Sequence, residues 1–142
     1  MAPRDRTAWV VLKFGGTSVS SLANWHNIAS VVRARLAAGT RLLLVHSAVS
    51  GITDRLETLL VSALAGTHES TLKAIEQRHI ALAAELGIGA SAALEHYFSE
   101  LRHIAAGVAL MGEVSDRTRA RIFSPPPATL HPMRPCAPGS MR

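Results

Sequence analysis

The chain has little of what marks secreted or membrane proteins. Its 142 residues contain one cysteine, Cys136, which excludes an internal disulfide framework and indicates a reducing cytoplasm. No apolar run approaches the roughly 20 residues that a helix needs to span a bilayer, and no signal peptide precedes the first apolar segment. We therefore predict a cytoplasmic protein of one domain with no membrane partner.

An excess of positive charge is also missing from most of the chain. The net charge is +5, but residues 1–116 contain ten Lys/Arg and ten Asp/Glu and sum to zero. The whole excess comes from five arginines near the C-terminus: Arg117, Arg119, Arg121, Arg134 and Arg142. The globular part is neutral, so the basic composition does not indicate a nucleic-acid partner.

The segment 10–19, with the sequence VVLKFGGTSV, has the pattern of a phosphate site. An apolar strand carries Lys13 and Phe14 near its end, and Gly15 and Gly16 are followed by Thr17 and Ser18 before a helical pattern. Glycines let the backbone approach an anion, N–H groups at a helix start point toward it, and the ammonium adds a charge. Because the lysine precedes the glycines, this is not a Walker A loop, and no G-x-G-x-x-G is present.

The position of Lys13 separates this interpretation from a plain strand-to-helix turn with a surface lysine. Lys13 alternates with Trp9 and Val11 along the predicted strand, so these side chains share one face. If that face is buried, the ammonium requires an anionic partner. On this ground we favour the phosphate site.

The first half of the chain predicts a βαβ unit. Strands at 9–14 and 41–47 flank a helix that Ser20, Ser21 or Asn24 could cap and that Gly39 ends. Such a unit implies a parallel sheet with a right-handed crossover. The loops after both strands then lie at the carboxyl ends of neighbouring strands, where open α/β sheets bind ligands.

The loop after the second strand, residues 47–54, is rich in hydroxyl groups. Ordinary capping of the next helix by Thr53 or Asp54 explains this composition if the loop is considered alone. Beside the first loop on a parallel sheet, it is the natural place for a second substrate.

The rest of the chain predicts helices and then a tail. After a helix that closes near Gly66, helices at 69–86 and 91–111 are joined by a short link and should form an antiparallel hairpin. His96, Glu100 and His103 lie on one side of the last helix, and we interpret them as a solvated face and predict no metal site. Residues 123–142 hold six of the seven prolines, so we predict a disordered tail.

Two motifs give the chain a resemblance to the aspartate kinases. Residues 13–19, KFGGTSV, match the N-terminal signature of that family, and residues 45–54, VHSAVSGITD, resemble its second loop. The preceding WVVL is similar to the kinase part of fused aspartate kinase/diaminopimelate decarboxylase enzymes. The resemblance implies an α/β amino-acid-kinase fold, a parallel sheet with flanking helices, of which residues 1–122 are the N-terminal part.

The resemblance also implies an activity and roles for residues. The activity is ATP-dependent phosphorylation of the L-aspartate β-carboxylate to 4-phospho-L-aspartate, the first step of lysine, threonine and methionine biosynthesis, with Mg²⁺ on the nucleotide phosphates. Lys13 would neutralise the transferring phosphate, and Phe14, Gly15, Gly16, Thr17 and Ser18 would form the nucleotide loop. Ser47 and Thr53 would hold the aspartate, and the full-length family is homo-oligomeric.

The chain also departs from the family pattern. A G-E-L-x-[ST] motif should follow a segment like 112–122, but Phe123-Ser-Pro-Pro-Pro stands there, and Glu113 lies too early to supply the glutamate of that motif. We interpret residues 123–142 as a disordered or frame-shifted tail. We expect this chain alone to be inactive and poorly stable, because it leaves a sheet edge and a core face unfilled.

Two other functions stay open. One is a different amino-acid kinase, acting on glutamate, carbamate or uridylate, although 17–19 and the second loop differ from what those relatives usually carry. The other is a non-catalytic chain that binds phosphate or pairs with a full-length subunit.

Overall fold

The computed structural model describes residues 9–88 and 92–123 as a mixed α/β fold. Strand β1 and strand β2 are separated by helix α1, and four helices follow. The elements are β1 (Trp9–Phe14), a 3-10 turn (Thr17–Val19), α1 (Leu22–Ala37), β2 (Arg41–His46), α2 (Ile52–Leu64), α3 (Glu69–Glu85), α4 (Ala92–Met111) and α5 (Asp116–Phe123). The predicted α/β class and βαβ unit are confirmed. Phe123, the first residue of the predicted tail, is the last residue of α5 and packs against the core, so the tail prediction is wrong there; residues 124–142 lie outside the described residues.

The two strands pair in parallel, in the register Trp9 with Arg41 through Phe14 with His46. One face carries Val10, Leu12 and Phe14, which are half-buried where α1 packs on the sheet. Trp25 of α1 meets His46 edge to face on this side, with ring centroids 6.4 Å apart.

The other face of the sheet is open among the described residues. It carries Trp9 (65% exposed), Val11 (61%), Leu43 (43%) and Val45 (42%). Lys13 lies on the same face and is exposed, so the condition of burial, under which its ammonium would require an anionic partner, is not met. Alternation correctly grouped these residues on one face, but burial requires a second layer, and no described element packs there.

The main hydrophobic core lies between the helices that follow the sheet. Leu59, Leu60 and Ala63 of α2 are at most 1% exposed and pack against α3, α4 and α5. The other buried members of this core are Ile52, Leu72, Ile75, Ala105, Val108 and Ile122. By contrast, Val19 and Ile28 are the only buried residues within 9–46. The core thus belongs mainly to the helical part of the chain.

Helices α3 and α4 form the expected antiparallel hairpin. His79 packs edge to face on Phe98, with ring centroids 5.9 Å apart. Arg102, one turn later in α4, donates to Glu76, one turn earlier in α3. Among the described residues, no helix is long and apolar enough to cross a membrane.

Candidate functional site

The glycine loop, residues 15–20, connects β1 to α1. After Gly15, the chain turns through the 3-10 turn, and Ser21 caps α1 by accepting the Asn24 N–H at 3.3 Å. Two α1 side chains bind carbonyls of the loop: Asn24 Nδ2 donates to Thr17 O at 2.8 Å and Trp25 Nε1 donates to Val19 O at 3.0 Å. The loop is therefore held from its carbonyl side.

The amide side of the glycine loop is free. The Ser18 N–H is bound by Gly15 O at 3.0 Å, as in an ordinary tight turn. The N–H groups of Gly15, Gly16 and Thr17 donate to no acceptor in the described parts of the chain. Successive unbound N–H groups at a helical turn are a typical anion-binding arrangement.

The two glycines of the loop differ in what the fold requires of them. A Cβ on Gly16 would lie 2.8 Å from Ala48 O, so only glycine fits against this backbone atom. A Cβ on Gly15 would meet nothing within 4 Å, and neither glycine has positive φ. The unliganded fold has no steric or conformational need for glycine at position 15, whereas an approaching phosphate would require the space.

Lys13 lies next to the glycine loop in sequence, and no ion pair with another described residue holds its ammonium group. It stands one residue before the end of β1, at the carboxyl edge from which the glycine loop emerges. It forms no ion pair with any residue of 9–88 or 92–123. Because its side chain projects from the open face, it does not line the cleft on the α1 side.

The second loop, residues 47–53, lies against the glycine loop. The Ser47 N–H donates to Phe14 O at 3.0 Å, which extends the sheet ladder by one bond. Gly51 begins α2 with φ of +78°, a left-handed conformation that favours glycine, and no side chain caps the helix. The interpretation that Thr53 or Asp54 is an ordinary cap is therefore wrong, because both lie inside the first turn.

The hydroxyl groups of Ser47 and Thr53 are exposed and form no hydrogen bond to another described residue. Contacts of Gly16 with Ala48 and of Ser20 with Ser50 bring the two loops together, as expected from neighbouring strand ends. The structure thus places two sets of uncommitted polar groups at one edge of the sheet.

A cleft of about 240 Å³ opens beside the glycine loop. Its lining combines three residues predicted for the nucleotide loop with residues of α1: Phe14, Thr17, Ser18, Asn24, Asn27, Ile28 and Val31. Two other clefts, of about 340 and 480 Å³, are lined by α4, α5 and the link between them and contain none of the predicted site residues. The smallest of the three clefts is thus the one that predicted nucleotide-loop residues line, but Lys13, Gly15 and Gly16 are not among its lining residues.

Sequence reasoning missed one residue of this site and gave others a different role. Arg78 of α3 donates to Ser20 O at 2.6 Å across 58 residues, and no local signal predicts that contact. Ser20 and Asn24 were candidates for caps, but Ser21 is the cap, and they bind the loop instead.

No group of three His, Cys, Asp or Glu side chains within the described residues could hold a metal ion. Of the trio on α4, Glu100 accepts from Arg121 Nε at 2.6 Å, and His103 Nδ1 contacts Ser99 O at 2.7 Å.

Comparison with known proteins points to one family. The model of the amino acid kinase family matches residues 8–125. An aspartokinase of Chlamydia trachomatis is 34% identical over 99 residues, which cover 66% of this chain and 22% of that protein. An aspartokinase of Chlamydia muridarum is 28% identical over 121 residues (85% and 25%), and one of Rickettsia felis is 38% identical over 52 residues (37% and 13%). The chain spans at most about a quarter of the length of these curated relatives.

Proposed function

Because the chain belongs to the amino acid kinase family, we propose that it carries the phosphate-binding part of an aspartate kinase. The reaction proposed is transfer of the ATP γ-phosphoryl group to the β-carboxylate of L-aspartate. The observation that carries the proposal is the set of free N–H groups in the glycine loop, which directly follows the strand that carries Lys13, a cation with no ion-pair partner among the described residues. The similarity to aspartokinases supports aspartate as the acceptor.

The glycine loop fits the phosphates of a nucleotide. We propose that the N–H groups of Gly15, Gly16 and Thr17 bind phosphate oxygens and that the open space at Gly15 admits them. Lys13 would neutralise the charge that develops on the transferred group. Mg²⁺ bound to the nucleotide would neutralise further phosphate charge, and Phe14 and Ser18 would line the site.

The second loop would hold the acceptor. We propose that the hydroxyl groups of Ser47 and Thr53 bind aspartate, since both are exposed and uncommitted beside the glycine loop. A carboxylate oxygen attacks the γ-phosphorus while the bond to the β,γ-bridging oxygen breaks and ADP leaves. Because a carboxylate is already ionised near pH 7, this attack needs no general base from the protein. The role of the chain in this reaction would be to position the two substrates and to neutralise the charge on the transferred phosphoryl group.

Titration of the full chain with Mg-ATP by calorimetry tests the phosphate site, with Lys13→Met as the variant. A lost charge-assisted contact is worth about 1.5–3 kcal/mol, so we expect binding to weaken by about 10- to 150-fold. Because Lys13 is exposed, the free energy of unfolding of K13M should differ from that of the wild-type protein by less than about 0.5 kcal/mol. Equal affinity of K13M and wild type would contradict the assignment.

The acceptor and the turnover are tested separately. In ligand-observed NMR, L-aspartate should bind and L-glutamate, carbamate and uridylate should not, and Thr53→Val should abolish the aspartate signal. A coupled ATP assay with aspartate should give no turnover by this chain alone, as expected from the share of its relatives that it spans. Clear turnover would refute the expected inactivity but not the site.

A second candidate is a non-catalytic chain that binds phosphate and pairs with a full-length kinase. The open face of the sheet favours it, because parallel sheets are normally covered on both sides. Under this alternative, binding of Mg-ATP would persist without any binding of aspartate, and the chain would co-purify with an intact kinase.

A further inference from the structure

The hydroxyl of Ser20 connects the two candidate ligand loops directly. Ser20 Oγ donates to Gly16 O at 2.5 Å and accepts the Ser50 N–H at 2.9 Å, across 30 residues of sequence. One side chain thus uses its donor to hold the glycine loop and its acceptor to hold the second loop.

Close backbone packing reinforces this hydrogen-bonded bridge. The position of a Cβ on Gly16 is 2.8 Å from Ala48 O, 3.5 Å from Ser50 N and 3.6 Å from Ser50 Cα. Because these are backbone atoms, neither loop can adjust to the other by rotating a side chain. The two loops are therefore packed backbone against backbone at this point.

Arg78 fixes the bridge to the helical part of the molecule. Its Nη2 donates to Ser20 O at 2.6 Å in a half-buried position. Arg78 forms no ion pair with another described residue, so this carbonyl is the partner that holds the guanidinium. Helix α3 packs on α2, and α2 begins at the end of the second loop. The contact of Arg78 with Ser20 therefore completes a closed series of contacts that runs from the glycine loop to α3, from α3 to α2, and from α2 through the second loop to the glycine loop.

We propose that Ser20 is a positioning residue that sets the spacing between the nucleotide loop and the acceptor loop, with Arg78 as its anchor. The inference rests on the proposed function of these loops and adds that ligand binding at one loop is coupled to the other. Ser20 touches neither ligand. Its removal therefore changes how the two ligands affect each other more than it changes the affinity for either one.

The bridge is tested in the full chain without ligand. Amide hydrogen exchange followed by NMR should show a protected Ser50 N–H in wild type and at least tenfold faster exchange in Ser20→Ala. Ser20→Thr keeps a hydroxyl and should restore the protection, and the matched control Ser30→Ala, at an exposed position of α1, should leave it unchanged. An unprotected Ser50 amide in wild type, or equal exchange in S20A, would overturn the proposal.

Arg78→Met is the variant to measure if S20A does not fold, because it leaves the hydrophobic core and the Ser20 hydroxyl unchanged. It should speed Ser50 exchange at least threefold, whereas an unchanged rate would exclude Arg78 as the anchor.

Coupling is tested by measuring the dissociation constant of L-aspartate with and without a saturating non-hydrolysable Mg-ATP analogue. The ratio of these two dissociation constants should differ from one in wild type and S30A, be about one in S20A, and differ from one again in S20T. The affinity of each variant for either ligand alone should stay within about threefold of the wild-type value. A wild-type ratio retained by S20A would refute the positioning role. If neither ligand binds wild type, the proposed function fails, and Ser50 exchange still decides whether the bridge exists.

Discussion

Replacing each glycine of the pair in turn separates what the fold requires from what a ligand requires. In Gly16→Ala, the new Cβ would lie 2.8 Å from Ala48 O, a distance that carbon and oxygen do not tolerate without a shift. The obstacle is backbone, so the two loops must separate by several tenths of an ångström. Overpacking of this kind typically costs about 1–3 kcal/mol.

The matched variant Gly15→Ala isolates the contribution of the clash. Both substitutions restrict the unfolded chain and so stabilise by about 0.4–1 kcal/mol, and this contribution cancels in the difference between them. Position 15 has no neighbour within 4 Å of a Cβ, so no clash opposes it there. G16A should therefore be less stable than G15A by about 1–3 kcal/mol, or roughly 4–12 °C in melting temperature.

Urea unfolding followed by tryptophan fluorescence is the appropriate assay, because Trp25 is bonded to a carbonyl of the glycine loop. Binding of Mg-ATP should give the opposite order: G15A should lose affinity at least tenfold, because its Cβ occupies the space proposed for phosphate. Equal stability of the two variants would refute the packing argument for Gly16. Undiminished binding by G15A would refute the ligand argument for Gly15.

The remaining predictions concern the two layers of the fold. Leu59→Ala, in the helical core with 0% exposure, should lower the free energy of unfolding by about 2–5 kcal/mol, whereas Val61→Ala, 66% exposed on the same helix, should change it by less than about 0.5 kcal/mol. Similar losses in both would mean that α2 packs through a different face. Val11→Thr, on the open face of the sheet, should reduce self-association in light scattering with little change in melting temperature, because threonine keeps the β propensity. A large drop in melting temperature would mean that the face is covered in solution.

Local pattern was sufficient to predict the elements that carry the site. The strand predicted at 9–14 has the observed bounds, and the strand predicted at 41–47 ends one residue earlier, at His46. The helix between them, expected to be capped by Ser20, Ser21 or Asn24 and to end at Gly39, runs from Leu22 to Ala37. Two strands joined by a helix then required a parallel pair with both loops at one edge. The proximity of the two loops followed from topology alone.

What sequence could not predict depends on contacts between distant segments. Alternation placed Lys13 with Trp9 and Val11 but could not tell whether another layer covers them, and the face is open. The sequence does not distinguish the roles of Gly15 and Gly16, yet only Gly16 packs against a backbone atom of the second loop. Arg78 and Ser20 are 58 residues apart, so no local spacing of residues in the sequence predicts their contact.

That long-range contact also has a consequence during synthesis. The glycine loop leaves the ribosome well before the arginine that anchors it, and at roughly 5–20 residues per second the 58 intervening residues take about 3–12 s. Within 9–46 only Val19 and Ile28 are buried, so the nascent βαβ segment has little core of its own during that interval. The contact between Arg78 and Ser20 can therefore form only after α3 has been synthesised.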